Sequence, residues 1–504
     1  METVQYRDYP DEPVELEPLS LTFMRAACFV PLSLEGNHLR LAMCRPDDAD
    51  TLRALSFAYP YELEPLQGSE DDILAAVERL YGAGSQSLET IIEEAGRSAV
   101  DVSPDGGDVD QLIDMASEAP IIRLVNRLIM NAVNSRASDI HFEPFENEFK
   151  VRYRIDGILH EAESPPKRLQ AAVISRVKIM SRLDIAERRL PQDGRVKLKV
   201  GDREIDFRVS TVPTLYGESL VMRILDRENL ILDLSEIGFP PEMQARYEDL
   251  IRRPCGMVLV TGPTGSGKTS TLYTTLARIN SPENKIITLE DPVEYQLRGV
   301  NQIQVNARIG LTFAGGLRSI VRQDPDIILV GEIRDRETAG IAVQSALTGH
   351  LLFSTLHTND AAGAVTRLLD MGVENFLLGS TLLGALAQRL VRRICSGCRR
   401  TAVPDMRMLR LIQMDEQAAG RIGFQEGTGC DECRGTGYRG RMGLFEYLEV
   451  SDTIRELIVQ NAAAGEIRDA AVACGMDTLR MDGLRKIREG RTTISEVLRV
   501  TVEG

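Results

Sequence analysis

The sequence has no tryptophan, few other aromatic residues and no long apolar run. No stretch reaches the ~18 consecutive apolar residues that a membrane-spanning helix needs, so no such helix is predicted. The first residues, "METVQYRDYPDEP", include neither a basic segment nor an apolar stretch, and we therefore expect no signal peptide and a cytoplasmic location. The scarcity of aromatic side chains also argues against a groove that stacks single-stranded nucleic acid.

Lysine is absent from the first 120 residues. These residues contain 25 acidic residues and seven arginines, a net charge of −18, while the whole chain carries −16. Such an acidic surface repels phosphates, so we expect no nucleic-acid partner. The segment from Arg389 to Arg441 has the opposite sign, because 11 arginines stand there against six acidic residues. This basic patch would suit an acidic partner or an anionic membrane surface.

The chain is too long for one domain, and its length predicts about three to four. We expect a small α/β domain at residues 1–81, a flexible linker at 82–116, an α+β domain at 117–228 and a third domain at 229–504. Glycine, serine and proline with little apolar content identify the linker. In the third domain the short apolar runs "GMVLV" and "IILVG" predict a buried parallel sheet, and residues 451–504 are predicted to be mostly helical.

A phosphate-binding loop is the most specific motif. The segment "GPTGSGKT" matches G-x-x-x-x-G-K-[ST] at every position, after the apolar strand "MVLVT" and before the helical segment "TSTLYTTLARI". Lys268 is expected to reach the β- and γ-phosphates of ATP, and Thr269 to hold Mg²⁺. The predicted nucleotide-binding residues are Gly262, Pro263, Thr264, Gly265, Ser266, Gly267, Lys268 and Thr269.

Two further segments offer carboxylates for hydrolysis. "DIILVGEIRD" has Gly331 where the second strand of such proteins usually ends in aspartate, and Glu332 follows it. Glu332 would steer water or hold Mg²⁺ through water, or it would form a structural ion pair. "ITLEDPVEY" places Glu290, Asp291 and Glu294 together, and one of these, with Glu290 first, is the alternative general base.

Two of the five histidines stand in "TGHLLFSTLHTND". His357 is predicted to sense the γ-phosphate through a hydrogen bond. A histidine at the end of a strand is as readily explained as a structural group, and both interpretations stay open for His357.

The eight cysteines do not make a disulfide framework in a long chain without a signal peptide. Cys395, Cys398, Cys430 and Cys433 form two C-x-x-C pairs separated by 31 residues, which predicts a closed tetrahedral zinc site. Four protein ligands leave no position for water, so the site is expected to be structural and to hold a protruding loop or subdomain. The remaining cysteines are interpreted as small buried apolar residues: Cys28, Cys44, Cys255 and Cys474.

Taken together and in order, these motifs resemble the secretion ATPase superfamily that powers type II secretion and type IV pili. The run from Ser138 through "PQDGR", "DFRVSTVPTLYGE", "GLTFAGGLRSIVRQDPD" and "LLGALAQRLVRRIC" most resembles the type II secretion assembly ATPases. The resemblance implies an α/β fold: a RecA-like P-loop ATPase core with a parallel sheet, preceded by an α+β domain and a small α/β N-terminal domain, with a zinc-knuckle insertion and a helical C-terminus.

The resemblance also implies an assembly. It implies a homo-hexamer, peripheral at the inner membrane, that uses ATP, Mg²⁺ and Zn²⁺. Its N-terminal domain would dock on the cytoplasmic part of an inner-membrane platform protein, and its zinc region would meet a polytopic inner-membrane protein. It further implies that arginines of the second domain reach the nucleotide, and the matching positions are Arg195, Arg208 and Arg223. Arg318 and Arg322 match arginines that flank the nucleotide cleft. Each of these could instead form a surface ion pair.

Three other functions compete with a motor for pseudopilus assembly and protein export. Type IV pilus assembly is the alternative within the same family. A hexameric nucleic-acid translocase could share the fold and the zinc, but the acidic pI near 5.0 and the lack of tryptophan disfavour it. A nucleotide-gated scaffold with negligible turnover is disfavoured by the carboxylates expected around the nucleotide.

Overall fold

The structure is a computed structural model of the 504-residue chain. It describes residues 21–81, 92, 109–200, 203–225, 233–412 and 422–501, with residues 4, 9, 10, 14, 16 and 19. The chain divides into two units, Met1–Ile224 and Leu225–Gly504. A search of the described residues finds no helix with the length and apolarity needed to cross a bilayer.

The first part of the chain forms a small α/β fold. Strands β1 and β2 make an antiparallel hairpin, as "FVPLSLEGNHLRLAMC" predicts, and β3 adds to β2 in parallel, which was not predicted. The elements are α1 (Leu21–Ala26), β1 (Phe29–Glu35), β2 (His38–Met43), α2 (Ala49–Ala58), β3 (Glu62–Gln67) and α3 (Glu70–Tyr81).

The interpretation of the scattered cysteines is wrong. Cys28 immediately precedes β1 and Cys44 immediately follows β2, next to the Phe29–Met43 pair at the open end of the hairpin, and the two are joined as a disulfide. Their backbones are also paired, because the Cys44 N–H donates to the Cys28 carbonyl at 3.0 Å. Cys255 and Cys474 are exposed rather than buried.

The second part is the expected α+β module. Its six-stranded antiparallel sheet has the order β6-β5-β4-β9-β8-β7, and apolar side chains alternate along β5, β7 and β8, which gives the sheet one buried face. The elements are α4 (Val109–Ser117), α5 (Ala119–Asn134), β4 (Ala137–Pro144), β5 (Phe149–Ile155), β6 (Ile158–Glu161), α6 (Gln170–Met180), β7 (Gln192–Val200), β8 (Arg203–Thr214) and β9 (Gly217–Leu225).

Part of the expected linker is helical. Helix α4 begins inside residues 82–116 and ends at Ser117, and its Leu112 and Met115 are buried, with Met115 in the same core as α5 and the sheet. Except for residue 92, positions 82–108 lie outside the described residues, as do Gly201 and Asp202, where the sequence predicts a turn between the strands "RVKLKV" and "EIDFRVSTV".

The second unit contains the predicted parallel sheet. Seven strands stand in the order β12-β11-β13-β14-β10-β15-β18, and only β18 is antiparallel to its neighbour. The elements up to β15 are α7 (Leu234–Ile237), α8 (Pro241–Leu250), β10 (Gly256–Thr261), α9 (Lys268–Ile279), β11 (Ile286–Glu290), β12 (Val300–Gln304), α10 (Phe313–Ile320), β13 (Ile327–Val330), α11 (Arg336–Leu347), β14 (Leu351–Leu356), α12 (Ala361–Asp370), α13 (Asn375–Thr381) and β15 (Leu382–Ile394).

Parallel strands covered by helices are buried on both faces, which explains why β10, β11, β13 and β14 are fully buried. Their residues belong to two apolar clusters, one of which includes α10 to α13 and the other α7 to α9.

The remainder forms a cysteine lobe and the predicted helical end. The lobe is formed by the part of the chain that connects the end of β15 to the start of β18. Its Leu409, Ile412 and Phe424 share an apolar core with Leu479 and Val497 of the terminal helices. The elements are β16 (Arg399–Thr401), α14 (Met406–Leu411), β17 (Gln425–Gly427), β18 (Tyr438–Glu449), α15 (Asp452–Val459), α16 (Ala464–Ala473), α17 (Leu479–Arg488) and α18 (Ile494–Thr501).

Candidate functional site

The phosphate loop lies between β10 and α9, as the motif predicts. Gly262, Gly265 and Gly267 have φ of 147°, 78° and 87°, values that side chains disfavour. A Cβ added at Gly262 would stand 2.5 Å from the carbonyl oxygen of Gln388, so no larger residue fits there. Glycine therefore lets the loop curve at the start of a helix, where backbone N–H groups can surround an anion.

Lys268 is held inside this loop. Its Nζ donates to the carbonyls of Gly262 at 2.7 Å and Pro263 at 3.1 Å. Burial lowers the pKa of Lys268 to about 8, while the charge of Glu332 opposes this shift and that of Arg389 adds to it. Thr269, the predicted Mg²⁺ ligand, is exposed beside it. The loop thus presents a cation and a hydroxyl where a nucleotide's phosphates and their metal ion would lie.

Glu332 and His357 lie together beside the loop. Glu332 follows β13 and His357 follows β14, the neighbouring parallel strand, so both stand at the carboxyl edge of the sheet. Glu332 Oε2 is 3.5 Å from His357 Nε2, and its Oε1 is 2.5 Å from Arg334 Nη2. The Glu332 side chain is 14% exposed and that of His357 is 51% exposed. Glu332 is therefore ion-paired, yet its charge is also felt by Lys268.

Glu290 has a different environment. It is 4% exposed, and its carboxylate accepts hydrogen bonds from Tyr273 Oη, Thr288 Oγ1 and Gln302 Nε2, at 2.5, 2.6 and 3.2 Å. Tyr273 belongs to α9, so this buried carboxylate fastens the helix of the phosphate loop to β11. Three neutral donors hold Glu290 in place, which favours a structural role.

The other carboxylates of that segment follow the strand. The hydrogen bond to Glu332 is the main cause that raises the pKa of Arg334, and the charge of exposed Asp291 adds to it. The backbone N–H of Glu294 donates to Tyr273 Oη at 3.3 Å.

The two histidines stand at opposite ends of β14. His350 precedes the strand, and its Nδ1 lies 2.8 Å from the Ser345 carbonyl and 3.2 Å from Thr348 Oγ1. Because the phosphate loop is at the other edge of the sheet, His350 is a structural group. His357 alone lies on the side of the phosphate loop.

The loop after His357 is fastened to β10 and β15. The N–H of Thr358 donates to Thr261 Oγ1 at 2.9 Å, and Arg389 Nη2 donates to the Asn359 carbonyl at 2.8 Å. This loop is therefore anchored to the strand that precedes the phosphate loop and to that strand's neighbour.

Three of the candidate arginines lie on the polar face of the first unit's sheet. Arg195 of β7 stands directly opposite Arg208 of β8, two like charges on neighbouring strands. Arg223 of β9 is 57% exposed, and its Nε donates to Asp139 Oδ1 at 3.0 Å, while Arg154 lies 3.7 Å from the same carboxylate. The exposed guanidinium of Arg223 leaves it able to meet another anion.

The other two candidate arginines belong to the second unit. Arg318 of α10 is ion-paired with Glu337, and both side chains are more than half exposed. Arg322 donates to the Arg318 carbonyl at 2.8 Å. Because solvent screens exposed pairs, these contacts contribute little stability.

Two residues of β15 beside the phosphate loop were not predicted from the sequence. Gln388 is fully buried, and its Oε1 accepts a hydrogen bond from Thr271 Oγ1 of α9 at 2.7 Å. Arg389 is 8% exposed and affects the pKa of Lys268. The signal was a pair of polar residues inside the apolar strand "LLGALAQRLVRRI", since buried polar groups need a partner.

The four cysteines converge as predicted. Their Sγ atoms all lie within 4.8 Å of one another. The distances are 3.8 Å for Cys395–Cys430, 3.7 Å for Cys398–Cys433 and 3.7 Å for Cys430–Cys433. Four sulfurs at about 2.3 Å from a tetrahedral zinc ion stand about 3.8 Å apart, so the donor set fits Zn²⁺.

Backbone donors support thiolates at this cluster. Cys398 Sγ accepts from the N–H of Gly429 at 3.3 Å, and Cys433 Sγ accepts from those of Cys430 and Gly437 at 3.2 Å each. The lobe is also tied to the terminal helices, because the Ile394 N–H donates to the Arg491 carbonyl at 3.0 Å. The cluster thus lies in a supported lobe at the end of β15.

A parallel sheet with this loop, lysine and carboxylate at its carboxyl edge defines a P-loop nucleoside triphosphatase. Residues 114–499 match the model of the Type II/IV secretion system protein family, and residues 1–87 match that of the MshEN domain. The chain therefore belongs to the Type II/IV secretion system protein family, and its activity is ATP hydrolysis.

Named relatives agree with this assignment. The chain is 50% identical over 506 residues to "Type II secretion system protein E" of Xanthomonas campestris, covering 99% of this chain and 88% of that protein. It is 46% identical over 497 residues to "Type IV pilus assembly ATPase PilB" of Myxococcus xanthus, covering 98% and 88%. The Legionella pneumophila ATPase DotB shares the fold at 20% identity and a TM-score of 0.56, over 74% of this chain and 94% of that one.

Proposed function

We propose that this ATPase is the motor of a type II secretion system, which hydrolyses ATP to drive pseudopilus assembly and protein export. The observation that carries the proposal is that one unit combines the phosphate loop with a four-cysteine lobe, which begins at the end of β15, the strand paired with β10. The relative from Xanthomonas campestris, named for type II secretion, supports it along almost the whole chain.

In this proposal, different groups of the chain bind the phosphates, hold the metal ion and activate the attacking water. The loop N–H groups and Lys268 bind the phosphates, and Thr269 would hold Mg²⁺, which offsets phosphate charge when bound. Glu332 accepts a proton from the attacking water, because it is a partly exposed carboxylate whose charge acts on Lys268. His357, within 3.5 Å of Glu332, relays the state of the γ-phosphate.

The proposed assembly is a homo-hexamer, cytoplasmic and peripheral at the inner membrane. The arginines of the first unit would supply positive charge to the transferring phosphate, where a guanidinium can be worth ~10³–10⁵ in rate. The N-terminal domain would dock on the cytoplasmic part of a platform protein. The cysteine lobe, with its excess of arginine, would meet a polytopic membrane protein through Zn²⁺-stabilised structure.

Type IV pilus assembly is the second candidate, and the similarity to the Myxococcus protein supports it. A deletion strain complemented with the wild-type chain separates the two, by measuring secreted enzyme in the medium and pili on the cell surface. We expect secretion to return. The Lys268→Ala variant should be folded and unable to restore it, because the charge over the phosphates is gone. Pili without secretion would favour the second candidate, and full ATPase activity in Lys268→Ala would contradict the assigned active site.

A further inference from the structure

Strand β15 contains a buried polar residue directly beside the phosphate loop. In the sheet, β15 lies between β10 and β18, and Thr261 of β10 pairs with Ala387. Gln388 is the next residue, so it stands level with Gly262, where β10 ends and the loop begins. It is fully buried, and with Arg389 it interrupts a strand that is otherwise apolar up to Val391.

Gln388 lies against the phosphate loop at both its first and its last glycine. A Cβ at Gly262 would lie 2.5 Å from the Gln388 carbonyl oxygen, and one at Gly267 would lie 2.8 Å from its Nε2. The side-chain Oε1 accepts from Thr271 Oγ1 at 2.7 Å. The first glycine, the last glycine and the following helix therefore all contact a single residue.

Only one of the two polar atoms of the Gln388 side-chain amide has a hydrogen-bond partner among the described residues. Oε1 is bonded to Thr271, but Nε2 has no hydrogen-bond partner among the described residues. The hydroxyl of Ser266, buried in the loop, likewise lacks one. A buried donor without an acceptor is unfavourable, so a small change in the loop that brings an acceptor to Nε2 would be stabilised.

We propose that Gln388 is a positioning residue that sets the phosphate-binding shape of the loop. Thr271 orients its amide, and Nε2 donates to an acceptor of Ser266–Gly267 when the loop closes on phosphate. This role rests on the ATPase activity of the site and is independent of whether the motor serves secretion or pili. It also makes β15 sensitive to nucleotide, because Arg389, the next residue, holds the loop that follows His357.

The test compares three single variants of the full chain. Gln388→Met keeps the length of the side chain and removes the amide, whereas Thr271→Val removes only its anchor. Thr275→Val is the matched control, since this threonine lies one turn further along α9 and bonds Tyr247 instead. The measurements are the Kd for a non-hydrolysable fluorescent ATP analogue, the KM and kcat for ATP, and the thermal unfolding midpoint.

We expect Gln388→Met and Thr271→Val each to raise Kd and KM about tenfold, the value of one hydrogen bond. A double variant with both Gln388→Met and Thr271→Val should bind the analogue no more weakly than Gln388→Met alone, because both changes remove the same contact. Thr275→Val should lower the unfolding midpoint and leave Kd unchanged. If Gln388→Met binds within twofold of wild type, the proposal is overturned. If that variant does not fold, Thr271→Val decides, and an unchanged Kd overturns it.

Discussion

Replacing Glu332 and Glu290 one at a time by glutamine should separate the base from the structural carboxylate. The two side chains end neighbouring strands of one sheet, yet their surroundings differ. Glu332 is 14% exposed with charged partners, whereas Glu290 is buried beneath three neutral donors. An amide keeps the shape of either side chain and removes its charge and basicity.

The two substitutions should affect different quantities, kcat for Glu332→Gln and the free energy of unfolding for Glu290→Gln. A general base contributes ~10²–10⁴ in rate, so Glu332→Gln should lower kcat by that factor, or about 3–5 kcal/mol in activation free energy. In Glu290→Gln one carboxylate oxygen becomes an NH₂ group, which cannot accept a hydrogen bond. The donor that faced that oxygen therefore loses its buried hydrogen bond and is left without an acceptor. That change should cost about 1–3 kcal/mol of stability, with a smaller effect on kcat.

Single-turnover phosphate release at saturating ATP measures the chemical step, and binding of a fluorescent analogue measures affinity. We expect Glu332→Gln to bind normally and release phosphate at least a hundred times more slowly. Glu290→Gln should hydrolyse ATP but unfold at a lower temperature. A dead Glu290→Gln beside a normal Glu332→Gln would place the base on β11 and refute the argument from hydrogen bonding.

Three further predictions concern the charge, the metal and the assembly. Burial lowers the pKa of Lys268 to about 8, and only the charged amine attracts phosphate. The Kd for nucleotide should therefore rise as pH increases through about 8, and the Lys268→Ala variant should lose this pH dependence. Cys430→Ser should lose the zinc, measured per chain by atomic absorption, and retain ATP hydrolysis, because β10 and β18 still hold β15 on both sides. Specific activity should rise with protein concentration if neighbouring subunits supply arginines, and a constant value from a monomer would contradict the hexamer.

Motifs that depend on short stretches of chain were predictable. The loop from Gly262 to Thr269 has its chemistry and its flanking strand and helix within about twenty residues, so the sequence alone defines it. The cysteine cluster is similar, because C-x-x-C spacing brings each pair of sulfurs together before the fold does. Glu332 and His357 were found because each follows a short apolar strand, and parallel strands end at one edge.

Features that depend on distant contacts were not predictable. Gln388 stands 119 positions after Thr269, the last residue of the loop it supports, and nothing local shows that β15 lies beside β10. The role of Glu290 depends on Tyr273, Thr288 and Gln302, three residues on three elements. The disulfide between Cys28 and Cys44 depends on the register of one hairpin, which spacing does not fix.

Strand β15 explains how a cysteine lobe can belong to an ATPase without approaching its nucleotide. Cys395 follows Ala387, the partner of Thr261, by eight positions, or about 26 Å along a strand. Over nearly all of that distance β15 is paired with β18, so it cannot bend independently of the sheet. Glu446 of β18 adds a second connection, since it accepts from the N–H of Ala361 at 2.8 Å and of Leu479 at 3.3 Å. A lobe held this way moves with the ATPase core, so any force it delivers to a partner must come from displacement of the whole core.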